Sequence, residues 1–155
     1  MASIAVWGLL GGIANLMAYQ DGYNAVAFTL SMEGATNAPG MWRAVHNPLL
    51  IHIGFAFIWL SKFVTGLLCS ISACQLWKVR NTTAEAFNAA KTIGLVGACI
   101  SMFMLFFGFV VISGSYFELW RDLETMGYEA HVYAFIYFGF IGILALFIAQ
   151  PENDN

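Results

Sequence analysis

Residues 92–117 form the stretch TIGLVGACISMFMLFFGFVVISGSYF, which contains no charged side chain. An α-helix rises about 1.5 Å per residue, so a run of this length can cross the ~30 Å hydrocarbon core of a bilayer. Its apolar residues are continuous and do not alternate with polar ones, which favours a helix over a strand of a β-barrel. The stretch therefore predicts a transmembrane helix near residues 92–113.

The rest of the chain has the same character. Residues 1–20 and 130–151 carry no charge, and 44–77 carry only Lys62. Of the 155 residues, 60% are hydrophobic and 10% are charged, whereas soluble domains have roughly 45–50% and about 25%. We therefore predict an all-α, four-transmembrane-helix bundle forming a single integral membrane domain over residues 1–155. Its spans are expected near 2–20, 50–77, 92–113 and 130–149.

Short interfacial helices are expected in the two longer loops. One is predicted over residues 24–32, before the turn at Pro39 and Gly40. The other is predicted over residues 116–123, YFELWRDL, with its aromatic side towards the membrane. Three carboxylates lie near Arg121: Glu118, Asp122 and Glu124. Together with this arginine they predict a solvated turn. Trp120 and Arg121 are candidate contacts for a partner or for polar groups.

The basic residues predict the orientation of the bundle. The loop 78–91 contains three basic residues and one acid, whereas the segments 21–47 and 114–129 are acidic. The positive-inside rule places loop 78–91 and both termini in the cytoplasm of a bacterium. The expected location is the bacterial inner membrane, or the mitochondrial inner membrane with both termini in the matrix. Six Lys and Arg residues are too few to form a nucleic-acid-binding surface.

Lys62 is a candidate functional residue, because ionisable groups inside a span are costly and mark functional sites by default. Counting back from Trp77 as an interfacial anchor places Lys62 about 8 Å inside the hydrocarbon core. The lysine could snorkel to the surface or meet an acid of the loop 114–129, pair with another subunit, or line a proton or ion path. Asn15 lies at a comparable depth and could share a polar patch with Lys62 and Ser61 or Tyr19.

Two histidines are candidate cofactor ligands. His52 and His131 fall on the same side of the membrane, and haem iron can be held by histidines from facing helices of a bundle. Their heights do not obviously match, and histidines at helix starts are common without a ligand. His46 and His52 are six residues apart, which does not place them on one helix face for zinc. The three cysteines, Cys69, Cys74 and Cys99, are expected to be inert packing residues.

Small residues at helical spacing predict close helix contacts, within the bundle or with a neighbouring protein, since small side chains let membrane helices approach one another. They are Gly8 with Gly12, Gly94 with Gly97 and Ala98, and Gly139 with Gly142. Paired carboxylates, Ser-His-Asp sets and phosphate-binding glycine loops are absent from the sequence. We therefore expect a protein that is not an enzyme.

Three stretches give the chain a family resemblance: Met41-Trp42-Arg43-Ala44, Phe87-Asn88-Ala89-Ala90-Lys91, and Phe107-Gly108-Phe109-Val110-Val111 leading into Tyr116, Phe117 and Trp120. With them the chain resembles, over about residues 13–149, a bacterial family of predicted small integral membrane proteins of unknown function. The resemblance implies the same four-helix layout and brings no known activity.

The first functional expectation is a non-catalytic accessory subunit of a larger membrane protein complex, an energy-transducing one, respiratory or photosynthetic. Its partners would be other integral membrane subunits and membrane lipids, and structural lipids are expected ahead of haem or pigment. One alternative is a small carrier with a cofactor on His52 and His131, tested by a visible absorption band that His131→Ala abolishes. Another is a small transporter using Lys62, contradicted if flux survives Lys62→Met.

Overall fold

The computed structural model describes residues 1–35, 38–122 and 126–153, without the side chains of 126 and 127. Within these ranges the chain is helical and contains no strand, so the all-α prediction is confirmed. The long helices are α1 (Ala2–Met17), α2 (Tyr19–Ser31), α3 (Pro48–Val79), α4 (Ala84–Phe103) and α5 (Met126–Ala149). α4 continues without interruption as a π-helix over Met104–Tyr116.

In the described part of the chain, three helices are long and apolar enough to cross a membrane, and the bent pair α1–α2 raises the number to four if it counts as one span. The first predicted span, 2–20, differs from the structure, because α1 ends at Met17 and the chain turns by 90° at Ala18. The 16 residues of α1 measure about 24 Å, which is less than the hydrocarbon core. The interfacial segment predicted at 24–32 falls largely within α2.

α3 and α4 form an antiparallel hairpin joined by a short loop, and both begin with a side-chain cap. Asn47 accepts a hydrogen bond from the backbone N–H of Leu49, and Thr83 accepts one from Ala86. These caps satisfy backbone donors that a helix start leaves unpaired. The 32 residues of α3 extend about 48 Å, so this helix must tilt or project beyond the hydrocarbon core.

Three buried side chains of α3 donate to backbone carbonyls of α4. Thr65 Oγ1 lies 2.9 Å from Gly97 O, Cys69 Sγ 3.4 Å from Gly94 O, and Ser72 Oγ 2.7 Å from Ala90 O. We call these contacts the α3–α4 ladder. The predicted small face at Gly94, Gly97 and Ala98 is buried here, and Cys69 packs as expected. Cys74 and Cys99 are exposed on the bundle surface instead, contrary to the expectation of core packing.

α1 packs on α3 through glycines. A Cβ placed on Gly8 would lie 2.6 Å from the backbone nitrogen of Gly66, and one on Gly12 would lie 3.1 Å from Phe63 Cβ. The predicted Gly8–Gly12 face therefore lets the two backbones approach as small residues do in membrane helix pairs. The third predicted face is packed at one of its two glycines. A Cβ on Gly142 would lie 3.3 Å from Met102 Cε, whereas no described atom lies within 4 Å of one on Gly139, which is exposed on α5.

The connecting segments form a folded cap at one end of the bundle, the cap end, made of α2 and residues 32–35, 38–47 and 117–122. Its buried core contains Met32, Ala35, Ala38 and Phe117. The short helix predicted over 116–123 is present but shorter than predicted. Tyr116 is the last residue of the π-helix, Phe117 is buried, and Leu119–Arg121 form one 3-10 turn. Residues 123–125 lie outside the described ranges.

At the opposite end, the terminal end, the C-terminal segment is tied to α4. Asn88 Nδ2 donates to Glu152 O, and Glu152 N donates to Asn88 Oδ1, both at 3.0 Å. The Lys91 ammonium donates to Gln150 O at 2.6 Å and lies 3.5 Å from a Glu152 carboxylate oxygen. Lys91, which the sequence placed in a loop, is therefore buried in the second turn of α4.

Candidate functional site

Lys62 extends from the middle of α3 along α1. Its Cδ lies 3.3 Å from a Cβ placed on Gly11, and its ammonium lies 5.9 Å from the centroid of the Trp7 ring. Because Gly11 has no side chain, a groove is left on α1, and the aliphatic part of the Lys62 side chain occupies it. The indole face supplies the electron-rich surface that attracts a cation.

The depth of Lys62 follows from the position of α2, which crosses the start of α3. Tyr19 Oη lies 2.8 Å from His52 Nδ1, and Gly22 packs on the Phe55 ring. Lys62 is seven residues beyond Phe55 on α3, and Gly11 is seven residues before the bend at Ala18 on α1. Both helices therefore place Lys62 about 10 Å from the level of α2, towards the terminal end and within a helix that is long and apolar enough to cross a membrane.

The ammonium of Lys62 has no polar partner in the described part of the chain: no hydrogen bond or ion pair reaches it. Asn15, one turn beyond Gly11 on α1, also makes no hydrogen bond to the described residues. The predicted patch of Asn15, Lys62, Ser61 and Tyr19 is not joined by hydrogen bonds there. Trp59, three residues before Lys62 on α3, has a buried indole N–H without an acceptor.

Lys62 lies beside a seam between α1 and α5, which we define by Trp7, Gly11, Tyr133 and Tyr137. The rings of Trp7 and Tyr137 are 5.8 Å apart, and Tyr133 stacks on Tyr137 at 6.5 Å. Tyr133 and Tyr137 remain 55% and 43% exposed, because α5 packs mainly along α4 and its π-helical continuation. The seam is therefore held by aromatic side chains and is open towards the lipid.

The two predicted haem ligands have different partners in the structure. His52 bonds to Tyr19, and its ring lies 4.6 Å from that of Tyr23. His131 Nδ1 lies 3.2 Å from the carbonyl of Phe109 in the π-helix, beside Gly114, where a Cβ would lie 2.4 Å from the imidazole. The described residues form no group of three or more metal-binding side chains. A cofactor on these histidines stays a prediction.

The cap contains a charged cluster centred on Glu118. Its carboxylate pairs with both Arg43 and Arg121, and Arg43 also donates to Gly40 O at 3.2 Å. Arg43 lies over the Tyr116 ring at 5.2 Å. The hydrogen bond from Arg121, with the positive charges of Arg121 and Arg43, holds the pKa of Glu118 below its usual value against an opposing effect of desolvation.

This cluster corrects the prediction of a solvated acidic turn. The Glu118 side chain is 14% exposed and Asp122 is 3% exposed, while Glu124 lies outside the described residues. Of the two predicted contact residues, Arg121 lies 4.5 Å over the Trp120 ring and pairs with Glu118. The exposed Trp120 belongs to the rim of the cap, where aromatic residues commonly meet lipid headgroups.

Comparison with known proteins agrees with this architecture. A family described as predicted small integral membrane protein, DUF2165, matches residues 1–151. The chain belongs to this family. The match includes α1, which the resemblance over residues 13–149 left partly outside. No curated protein and no solved structure matches this member of the DUF2165 family.

Some features of this DUF2165 protein had no usable signal in its sequence. The pairing of Arg43 with Glu118 joins residues 75 positions apart, which no local spacing indicates. In the sequence, Trp59 is indistinguishable from the other aromatic residues of the spans, so its unpaired indole N–H could not be predicted. The contact of Lys91 with Gln150 was hidden because a lysine at a helix start is normally read as solvated.

Proposed function

We propose that this protein is a non-catalytic accessory subunit of a larger membrane protein complex. The observation that supports it is the Lys62 ammonium, which lies within the membrane span without a polar partner among the described residues. A cation in hydrocarbon is costly unless it is paired. A contact with another subunit would remove that cost, and the open seam beside Lys62 gives access to it.

The host that we propose is an energy-transducing complex of the bacterial inner membrane, respiratory or photosynthetic. Other integral membrane subunits are the proposed partners, with membrane lipids around the remaining surface. The outward face of α5 is suited to such contacts, because its exposed residues are large and apolar; they include Phe140, Ile143, Leu146 and Phe147.

The experiment is gentle solubilisation of the tagged chain from its native membrane, followed by identification of every polypeptide that is recovered with it. We expect stoichiometric recovery with the subunits of a respiratory or light-harvesting complex. Membranes from cells without the tag give the background. Recovery of the chain alone, as a monomer or homo-oligomer, would contradict the proposal.

We further propose that the terminal end faces the cytoplasm and the cap end faces the periplasm. Trp42 is 81% exposed in the cap, and Arg80 is exposed in the loop between α3 and α4. A membrane-impermeant maleimide should label Trp42→Cys in intact cells and label Arg80→Cys after lysis. Labelling of the chain with its three native cysteines gives the background, and the reverse pattern would invert the proposed orientation.

A further inference from the structure

We propose that Lys62 is the docking point for a transmembrane helix of a different polypeptide, which carries an aspartate or glutamate and lies in the seam between α1 and α5. This inference rests on the proposed accessory role and adds the chemistry of the contact. It depends on four properties of the structure: the donors beside the seam, the direction of the lysine side chain, the heights of the chain's own acids, and the shape of the seam.

Two side chains of α3 are hydrogen-bond donors without an acceptor among the described residues, and Lys62 is the one that lies beside the seam. The Lys62 ammonium and the Trp59 indole N–H can only donate, and neither has an acceptor among the described residues. They are three residues apart on α3 and therefore lie on the same side of the helix. A carboxylate accepts several hydrogen bonds and neutralises the ammonium, so it matches the requirement of Lys62.

The direction of the Lys62 side chain argues against snorkelling to the cap end. A lysine that snorkels there would extend along α1 from Gly11 towards Ala18. The ammonium instead lies 3.9 Å from a Cβ placed on Gly11 and 5.9 Å from the centroid of the Trp7 ring, so it stays at the level of these two residues and does not extend towards Ala18. The charge is thereby kept near the middle of the bundle, where lipid phosphates do not reach.

A second copy of this chain cannot supply the acid. Its spans contain no aspartate or glutamate over residues 1–20, 44–77, 92–117 and 130–151. The acid closest in the chain to the seam is Glu129, four residues before Tyr133 and eight before Tyr137. It therefore lies about 12 Å nearer the cap end than Tyr137, the tyrosine that meets Trp7 beside Lys62. Copies inserted in the same direction keep every residue at the same height, so the carboxylate has to come from another polypeptide.

The shape of the seam fits a helix better than a compact ligand. Tyr133 and Tyr137 are one turn apart on α5 and leave an open aromatic row, while Trp7 and Gly11 are one turn apart on α1. Rows with helical spacing receive the ridges of a neighbouring helix. The partner's apolar side chains would pack on the tyrosines while its carboxylate reaches Lys62.

The test compares the recovery of partner polypeptides with the full-length chain and three variants, each isolated from the native membrane. Lys62→Met removes the charge and Lys62→Arg preserves it. Lys78→Met is the matched control, because Lys78 is exposed in the last turn of α3, away from the seam. A photo-crosslinking amino acid at Tyr137 identifies whatever occupies the seam, and thermal unfolding in detergent checks each isolated variant.

We expect Lys62→Met to lower partner recovery at least about tenfold, as loss of one side of a buried ion pair would, with the thermal stability of the isolated chain unchanged. Lys62→Arg should keep most of the partner, Lys78→Met should keep all of it, and the crosslink should join Tyr137 to a span containing Asp or Glu. Undiminished recovery with Lys62→Met, or crosslinks to lipid alone, would overturn this inference and leave the accessory role standing. Failure of the unmodified chain to recover any partner would overturn both.

Discussion

Gly8 lies where the backbones of α1 and α3 come closest, and it offers a direct test of that contact. Even a methyl group there would overlap Gly66 N and Lys62 O, each 2.6 Å from its Cβ. Because both are backbone atoms, the helices would have to separate. We expect Gly8→Ala to lower the free energy of unfolding by about 1–3 kcal/mol, measured by unfolding in mixed micelles.

Gly139 is the matched control for this prediction. It is also a helix-interior glycine, but a Cβ there has no described atom within 4 Å. Gly139→Ala should leave stability unchanged or raise it by up to about 1 kcal/mol, since alanine favours the helix. Equal losses from both substitutions would contradict the close approach of α1 and α3.

The α3–α4 ladder can be tested at a single hydroxyl. Ser72 donates across the interface to Ala90 O, whereas Ser70 donates within its own helix to Gly66 O, both at 2.7 Å. Ser72→Ala should cost about 0.6–2 kcal/mol, the range found for interhelical hydrogen bonds in membranes. Ser70→Ala should cost less, and the reverse order in thermal unfolding would rule out the ladder as a stabilising element.

Single residues show how far sequence reasoning extends. The spacing of Gly8 and Gly12 predicted a close contact correctly, because small residues at helical spacing have few other roles in a membrane. The same reasoning gave Gly139 a partner that the described structure does not contain, because spacing alone does not tell a lipid-facing side from a packed one. The unpaired indole N–H of Trp59 was missed because only the tertiary structure shows whether a donor has an acceptor.

Among the elements, the cap is the one expected to respond to pH. The pKa of Glu118 is lowered chiefly by its hydrogen bond to Arg121 and by the charges of Arg121 and Arg43. A lowered pKa means that the ionised form stabilises the folded state. This contribution is complete above the usual carboxyl pKa of about 4.3 and is lost as the pH falls through the lowered value.

We therefore expect Glu118→Gln to be less stable than the unmodified chain near neutral pH, with the difference shrinking below about pH 4. Thermal unfolding between pH 3 and 7 measures it, and tryptophan fluorescence follows the exposed Trp42 and Trp120 of the cap. Glu85→Gln, at the start of α4, is the control at the other end of the bundle. A pH-independent difference would show that Glu118 acts through its shape and not its charge.

The positions of the helices were predictable where long uncharged stretches marked them. The bend between α1 and α2 and the type of each helix were not predictable. The span at 50–77 corresponds to Pro48–Val79, because the polar residues at both ends are also helix limits. The bend at Ala18 was missed since residues 1–20 are uniformly uncharged, and the tight packing of Gly22 on Phe55 is a tertiary contact. The π-helix over Met104–Tyr116 was also missed, and hydropathy does not distinguish it from an α-helix.

At the scale of the whole molecule, the attachment of the C-terminal segment to α4 can be measured. Asn88 makes two hydrogen bonds with Glu152, so Asn88→Ala should release the C-terminal segment while the spans stay folded. We expect carboxypeptidase to digest the variant several times faster at equal thermal stability. Asn81→Ala, in the exposed loop before α4, is the control, and identical digestion of all three proteins would contradict the tie.

The candidate site shows the same division between sequence and fold. Lys62 was identifiable from composition alone, because it is the one charge in residues 44–77. The seam beside it was not identifiable, since it depends on the contact between Trp7 and Tyr137, which are 130 residues apart in the chain. The family membership fixes the membrane character of the whole chain and assigns no chemistry to that lysine.

The α3–α4 ladder also limits how this protein can move. Its three donors, Thr65, Cys69 and Ser72, span seven residues of α3, and their acceptor carbonyls, at Gly97, Gly94 and Ala90, span seven residues of α4. A shift of either helix along its axis would therefore break all three bonds together. The pair α3 and α4 therefore resists sliding of one helix along the other and moves as one rigid unit. Because the close approach at Gly8 also holds α1 to α3, mechanical transmission between the two sides of the membrane would have to use α5, whose outward face is exposed.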